Sequence, residues 1–271
     1  MTAHLSKSIA VLLLTLLLLL TIVPILLLFF LSTKDNLDIL IDFWAIPETI
    51  KWANFTGAFD TVKNSIGNSL YICAVTVFGS LVLGSLSGYV FARHQFPLKQ
   101  TLFMMLLAVL AIPALIIIVP LYVLITNLHL THSFWGLILP YIAGSQLLGL
   151  LISRSFFESL PEELFEAARI DGGSEFYLYS RIALPLSVPI LITVGIITFL
   201  GVYNDYLLPL IVLDETQRTF SIAAVNLTNA GRIDIGLSFG AYILGSIPTV
   251  IILLFGMKYY VQGMLSGSVK G

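Results

Sequence analysis

Six long apolar runs, at about 8–31, 67–91, 101–126, 134–154, 182–202 and 237–260, alternate with polar segments along the chain. One membrane-spanning helix needs roughly 20 apolar residues, and each run is that long. The runs lack the two-residue alternation of a barrel strand, and in lipid only helices and closed barrels satisfy their own backbone groups, so all six are expected to be helical. From Gln100 to Ser153 there is no Lys, Arg, Asp or Glu, which leaves room for two spans joined by the turn TNLHLTHS at 126–133. Pro24, Pro113, Pro120, Pro140, Pro189 and Pro248 fall inside the runs and mark expected kinks.

Composition agrees with the pattern. The 271 residues are 58% hydrophobic and 10% charged, whereas a soluble domain carries about 25% charge. The predicted class is all-α: a polytopic membrane protein of six transmembrane helices in contact with lipid. It is read as one domain over 1–271, with a core at about 64–262, a polar loop at about 156–181 and a tail at 263–271. A net charge of −2 gives no reason to expect nucleic acid. The single cysteine, Cys73, allows no internal disulfide and reads as a packing residue. The first run, Ser8 to Leu31, exceeds the roughly 7–15 residues of a signal-peptide core and is expected to be a retained span.

Lys and Arg set the sidedness. With the N-terminus inside, Lys7, Arg93, Lys99, Arg154, Arg169, Arg181, Lys258 and Lys270 are internal, and Lys34, Lys51, Lys63, Arg218 and Arg232 external. Eight against five favours both termini in the cytoplasm. Two outer segments are long. Residues 32–66 carry Trp44, Trp52, Phe55 and Phe59 and suit short interfacial helices, and 203–236 reads as partly re-entrant. In the second span Thr76, Ser80, Gly84, Gly88 and Ala92 recur every four residues on one face. Such a face suits close packing, either within this chain or against a second membrane subunit.

The loop at 156–181 has helix start and stop signals. Ser159 and Glu162 have capping-box spacing, Pro161 sits in the first turn, and Arg169 lies in the last. Gly172 suits the left-handed position that ends a helix, and Ser174 can cap a second one. Leu160, Leu164, Ala167 and Ala168 are expected on one face, with Glu162, Glu163, Glu166 and Arg169 polar. By composition alone this hairpin is either a docking element or a solvated connection.

The stretch EAARIDGG followed by RIALPLSVP closely resembles the EAA loop of ABC-importer permeases: Glu166-Ala167-Ala168, then Gly172, then Ile182-Ala183-Leu184-Pro185. NSL at 68–70, GYVFARHQFP at 88–97, the 112–141 stretch and KYYVQGMLSGSVKG at 258–271 resemble the maltose-type, carbohydrate-importing subfamily. The resemblance runs from about residue 64 onward. It implies a bacterial inner-membrane permease that moves a sugar inward by alternating access. Implied partners are a second permease subunit, two cytoplasmic ATPase subunits that bind the ATP and Mg, and an extracytoplasmic sugar-binding protein. Glu166, Ala167, Ala168, Asp171 and Gly172 take the coupling role, and Ser266, Gly267 and Lys270 in the tail either contact the ATPase dimer or belong to a loose end. Gly173 stands where the family often has Ala, which is expected to loosen the turn, and Tyr203-Asn204-Asp205 stands where Trp-Asn-Asp or Trp-Asn-Glu is common.

Other chemistry finds little support. No phosphate-binding Gly-x-x-x-x-Gly-Lys-Ser/Thr loop occurs, so no cofactor is expected in this chain. No catalytic residue is expected, and His129 and His132 lie in a turn without a carboxylate or Cys to complete a metal site. The spans are nearly free of the ionisable residues that ion coupling needs, which points to energy supplied from outside the chain. A sugar path needs polar and aromatic groups at membrane depth. Asn64, Asn68, Tyr71, Tyr203, Asn204 and Asp205 are the candidates, with structural pinning of helix ends as the alternative and Asp205 as the most structural of the six.

Overall fold

The computed structural model describes the backbone of residues 2–47, 49–229 and 234–268, and side chains at 10–47, 49–227 and 234–259. Its helices are α1 (Thr2–Ser32), α2 (Asn36–Ile41), α3 (Ala53–Arg93), α4 (Lys99–Leu110), α5 (Ala114–Asn127) and α6 (Trp135–Ser159). They continue as α7 (Glu163–Ile170), α8 (Glu175–Leu186), α9 (Val188–Asn204), α10 (Leu207–Val212), α11 (Phe220–Asn229) and α12 (Ile235–Ser268). No strand occurs among the described residues.

Among the described residues four helices are long and apolar enough to cross a membrane: Ala10–Ser32, α3, α6 and Ile235–Tyr259. The third and fifth expected spans are broken instead. The α4–α5 pair bends by 98° and the α8–α9 pair by 75°, so six crossings result when each pair counts as one. The breaks have sequence causes. Pro113 disfavours helical backbone at Ile112, and Ser187 sits at a break flanked by Pro185 and Pro189. The other prolines within helices, Pro24, Pro120, Pro140 and Pro248, leave them continuous. The second span also differs from expectation, since its helix begins at Ala53 rather than near 67. Nothing in FTGAFDTVKNSIGN stops a helix, because Gly57 and Gly67 only weaken it. The described residues of 203–236 continue beyond the end of α9 as α10, a short 3-10 turn at Glu215–Gln217 and α11.

The chain forms two compact units. One comprises residues up to Asn64 with Ala223–Ile247, and the other Ser65–Ile222 with the chain from Pro248 onward. In the first, α1 shows leucines on every side, and Thr15 and Thr21 return their hydroxyls to carbonyls of their own helix. Lys34 is fully buried, its ammonium donating to the Asp42 and Phe43 carbonyls at 3.0 Å each. The Asn54 amide donates to the Ser32 and Lys34 carbonyls at 2.9 and 2.8 Å.

In the second unit the small-residue face of α3 packs on α6. A Cβ on Gly84 would lie 3.0 Å from Gly149 Cα, and one on Gly88 would lie 2.7 Å from Ser153 Cβ. Thr76 and Ser80 are fully buried. The ladder thus serves packing within this chain, with the backbones of two helices brought close by missing side chains. A second apolar core gathers Ile72, Ile125, Leu137, Ile138, Phe199 and Val212.

Candidate functional site

The polar loop starts where α6 stops. Leu160, ahead of Pro161, is extended (φ −72°, ψ 138°), the conformation favoured before proline, so Ser159 falls in the last turn of α6. The expected capping box does not form: Ser159 donates to the Phe156 carbonyl at 2.7 Å. Glu162 occupies the N-cap of α7 without bonding the backbone. Its carboxylate accepts from Arg93 and, at 3.1 Å, from Arg169. The Glu162 hydrogen bond holds the Arg169 guanidinium above its usual pKa, with Glu175 adding to the effect.

At the far end of α7, Gly172 has φ +83°, the left-handed cap predicted for it. The amides of Gly172 and Gly173 return to the Arg169 and Ala168 carbonyls at 3.0 and 2.9 Å. A Cβ on Gly173 would stand 2.8 Å from the Ala168 oxygen, so this glycine tightens the turn rather than loosening it. Ser174 Oγ accepts from the Tyr177 amide at 3.3 Å and caps α8 as expected. Within α8 the backbone widens into a π-helical turn over Leu178–Ala183.

The inward face differs from the one expected. Phe165 is fully buried, with Leu160 and Ala168 half-buried beside it, while Leu164 and Ala167 face out. Phe165, Phe157 and Tyr179 surround the Tyr89 ring at 6.4, 5.7 and 5.3 Å between centroids. Tyr179 shares a 2.7 Å hydrogen bond with Ser85 of α3. Sequence reasoning missed Phe165, although one aromatic among ELFEAARI is the signal that could have found it. The outward face holds Glu166, Ala167, Asp171 and Gly172 among exposed apolar side chains. Ile170 is 86% exposed and Phe176 73%, with Leu164 and Tyr177 also exposed.

The second candidate site is a cleft of about 360 Å³ between α6 and α9. Tyr141, Ser145 and Leu148 line it from α6, and Thr198, Gly201 and Asn204 from α9, with Asp205 just beyond. The Asp205 carboxylate accepts from Tyr141 OH at 2.6 Å and from the Leu207 amide at 3.1 Å. Its carbonyl takes the Ser221 hydroxyl at 2.6 Å. Asn204 is exposed and donates to the Leu200 carbonyl at 2.9 Å. Tyr203 does not line the cleft: it is buried between the rings of Phe199 and Phe220, stacked at 5.3 and 5.9 Å. Asn68 pins the Arg218 carbonyl at 3.1 Å, and half-exposed Tyr71 leans on Phe134. Asn64 is exposed and belongs to the first unit. Tyr141 and Ser145 went unnoticed inside an apolar run, where the polar notch in YIAGSQ was the available clue. His129 and His132 take left-handed turn positions, φ 55° and 59°. The side chains of Ser266 and Gly267, and all of Lys270, lie outside the described residues.

Residues 80–266 match the family described as the binding-protein-dependent transport system inner membrane component, and the chain belongs to that family. It is a multi-pass, all-helical permease of the inner membrane. It is 33% identical over 240 residues to a probable ABC transporter permease, YurM of Bacillus subtilis, covering 88% of this chain and 80% of that protein. The trehalose transport system permease SugB of Mycobacterium tuberculosis is 30% identical over 232 residues, covering 83% and 84%. The melibiose/raffinose/stachyose import permease MelC of Bacillus subtilis is 30% identical over 232 residues, covering 84% of each. Among solved structures, a bacterial ABC transporter that imports the acidic polysaccharide alginate matches with TM-score 0.82 at 17% identity, covering 95% of this chain and 97% of that one. That likeness is one of fold.

Proposed function

We propose that this chain is the membrane-spanning subunit of an ATP-driven importer of a carbohydrate, worked by separate ATPase subunits through the α7–Gly172 loop. The observation that carries the reading is the loop's two-sided construction. Its inner side is fastened to α3 and α6 by Phe165 and Glu162, and its outer side offers Ile170, Phe176 and Leu164 around the small Ala167. Exposed apolar side chains grouped on a polar hairpin are a protein-docking surface. The identity to sugar permeases supports the substrate class.

The complex on this reading holds a second permease subunit, two cytoplasmic ATPases that bind ATP and Mg, and an external sugar-binding protein. Both termini of the chain are cytoplasmic, and the tail with Ser266, Gly267 and Lys270 reaches the ATPase dimer. Closure of that dimer moves the docked loops together and tips the permease pair outward. Reversing a 1:99 equilibrium to 99:1 takes about 5.5 kcal/mol of differential binding, which a capped helix held from behind can transmit. The α6–α9 cleft contributes to the sugar path. Asn204 and Ser145 are suited to meet hydroxyls, while Asp205, already engaged by Tyr141 and Leu207, holds the cleft's end.

The test is co-expression with the ATPase, second permease and binding-protein genes, using Ile170→Asp as the variant. Because Ile170 is so exposed, this change leaves folding intact while placing a charge in the docking face. The ATPase is expected to be lost from the purified complex and uptake to cease. A variant that keeps both overturns the docking role. Labelled trehalose, melibiose and raffinose test the substrate class: the parent complex takes up at least one in an ATP-dependent manner, and uptake of none sinks the carbohydrate assignment.

A further inference from the structure

We infer that Arg93 is the positioning residue that makes the docking loop move as one body with α3 and α6. Arg93 is the last residue of α3, and its side chain is only 9% exposed. One nitrogen, Nη1, donates to the Glu162 carboxylate at the start of α7. The other, Nη2, donates to the Phe157 and Leu160 carbonyls at 2.6 Å each. The guanidinium plane lies 4.1 Å from the ring centre of Phe165, the buried anchor of α7.

Those contacts join α6 and α7 to α3, the helix that carries Arg93, through one rigid group. At the end of α6 the Phe157 carbonyl takes only the longer Leu160 amide bond, 3.3 Å, besides Arg93, and a cation there also suits the negative end of the helix dipole. The Glu162 carboxylate and the Phe165 ring both belong to α7. Between α6 and α7 the chain is only Leu160, Pro161 and Glu162, a link extended at Leu160, while the Glu162 carbonyl already belongs to α7 through the Phe165 and Glu166 amides at 2.9 and 3.0 Å. Arg93 spans that link. A planar fork with donors at fixed angles can bond two carbonyls and a carboxylate while stacking on a ring, whereas a lysine ammonium cannot hold that set together. The Tyr179–Ser85 bond at 2.7 Å ties α8 to α3 but does not reach α7, and the ties of Glu175 are long: 3.4 Å from His94, 3.5 Å from Arg169 and 3.5 Å from Tyr89.

The proposal rests on the reading of α7 as the docking helix, and it adds what carries the displacement onward. Loss of the Arg93 fork leaves the docking face intact and lets α7 pivot on the extended link. ATP hydrolysis then continues without moving the spans.

The experiment uses the complete complex in liposomes, with labelled trehalose or raffinose as the transported probe and phosphate release as the measure of hydrolysis. Arg93→Lys keeps the charge and removes the fork, and Glu162→Gln removes one arm at a half-exposed position. Arg93→Lys is expected to copurify with its ATPase, hydrolyse ATP at the parental rate and lose about tenfold in sugar moved per ATP, the size expected for a charged hydrogen bond. Glu162→Gln is expected to lose about threefold by the same ratio. A ratio equal to the parent's in both variants overturns the proposal, and if Arg93→Lys fails to assemble, the Glu162→Gln ratio decides alone. Ile170→Asp run in parallel separates the two readings. Detachment of the ATPase there, with normal coupling in the Arg93 and Glu162 variants, removes only the role of Arg93. Retention of the ATPase and uptake in Ile170→Asp removes the docking reading beneath it.

Discussion

In the α7 loop the anchors Phe165 and Glu162 hold from the inner side while Ile170 and Phe176 stand exposed on the outer one, whereas in the α6–α9 cleft the polar groups among an apolar lining are mostly bonded already. Phe165 and Glu162 secure α7 from behind, so Ile170 and Phe176 stand free at the surface. Around the cleft, Asp205 is engaged by Tyr141, Leu207 and Ser221, and Asn204 returns a bond to its own helix. On the proposed function, the difference separates two tasks. A surface that pulls must be stiff from behind and adhesive in front. A passage that releases its cargo must hold few polar groups ready for it.

That contrast can be broken from the loop side first. Phe165→Ala empties a fully buried site and is expected to have the largest effect, a loss of about 3–5 kcal/mol of local stability. Protease nicking between Ser159 and Ser174 in the purified complex measures it, and a loop as resistant as the parent's contradicts the anchoring role. Gly172→Val comes next. A Cβ there meets nothing within 4 Å, so the entire penalty arises from φ +83°, about 1–3 kcal/mol. Uptake should fall steeply or the ATPase should be lost, while Gly172→Asn should be milder because Asn tolerates this region. Normal uptake in Gly172→Val refutes the capped-loop account.

The smallest effect is expected on the cleft side. Asn204→Ala removes one exposed amide and should slow uptake by about threefold to tenfold, as for one lost hydrogen bond, with assembly and basal ATP hydrolysis unchanged. If the complex is instead not recovered, Asn204 is a structural residue and the cleft loses its best candidate for meeting sugar.

Much of this was legible in the sequence because its causes are local. Apolar runs of sufficient length gave the spans, Gly172 and Ser174 gave the turn and the second cap, and the four-residue spacing gave the α3 face. What was missed depends on distant partners. Ser159 and Glu162 had capping-box spacing, but Pro161 moved Ser159 into the preceding helix, and Arg93, some seventy residues away in sequence, claimed Glu162. Tyr203 looked like a path residue and is a stacked core ring, because Phe220 comes from beyond the end of its helix. Kinks were anticipated at Pro113 and Pro189, and the second break falls two residues earlier, at Ser187; the size of both bends depends on packing that no single run encodes.

The π-helical turn at Leu178–Ala183 separates the phase of the loop from the phase of the span that follows it. A π turn is an α-helix that has absorbed one extra residue locally, so the helical faces on either side keep their alignment despite the added length. Removing one residue within that turn restores an ordinary helix and leaves the faces of α9 where they were. Removing one from α9 itself would rotate everything beyond by about 100° and turn Asn204 away from the cleft. Between the polar loop and α9 the chain thus carries a turn that can absorb one residue more or less without turning α9 out of register.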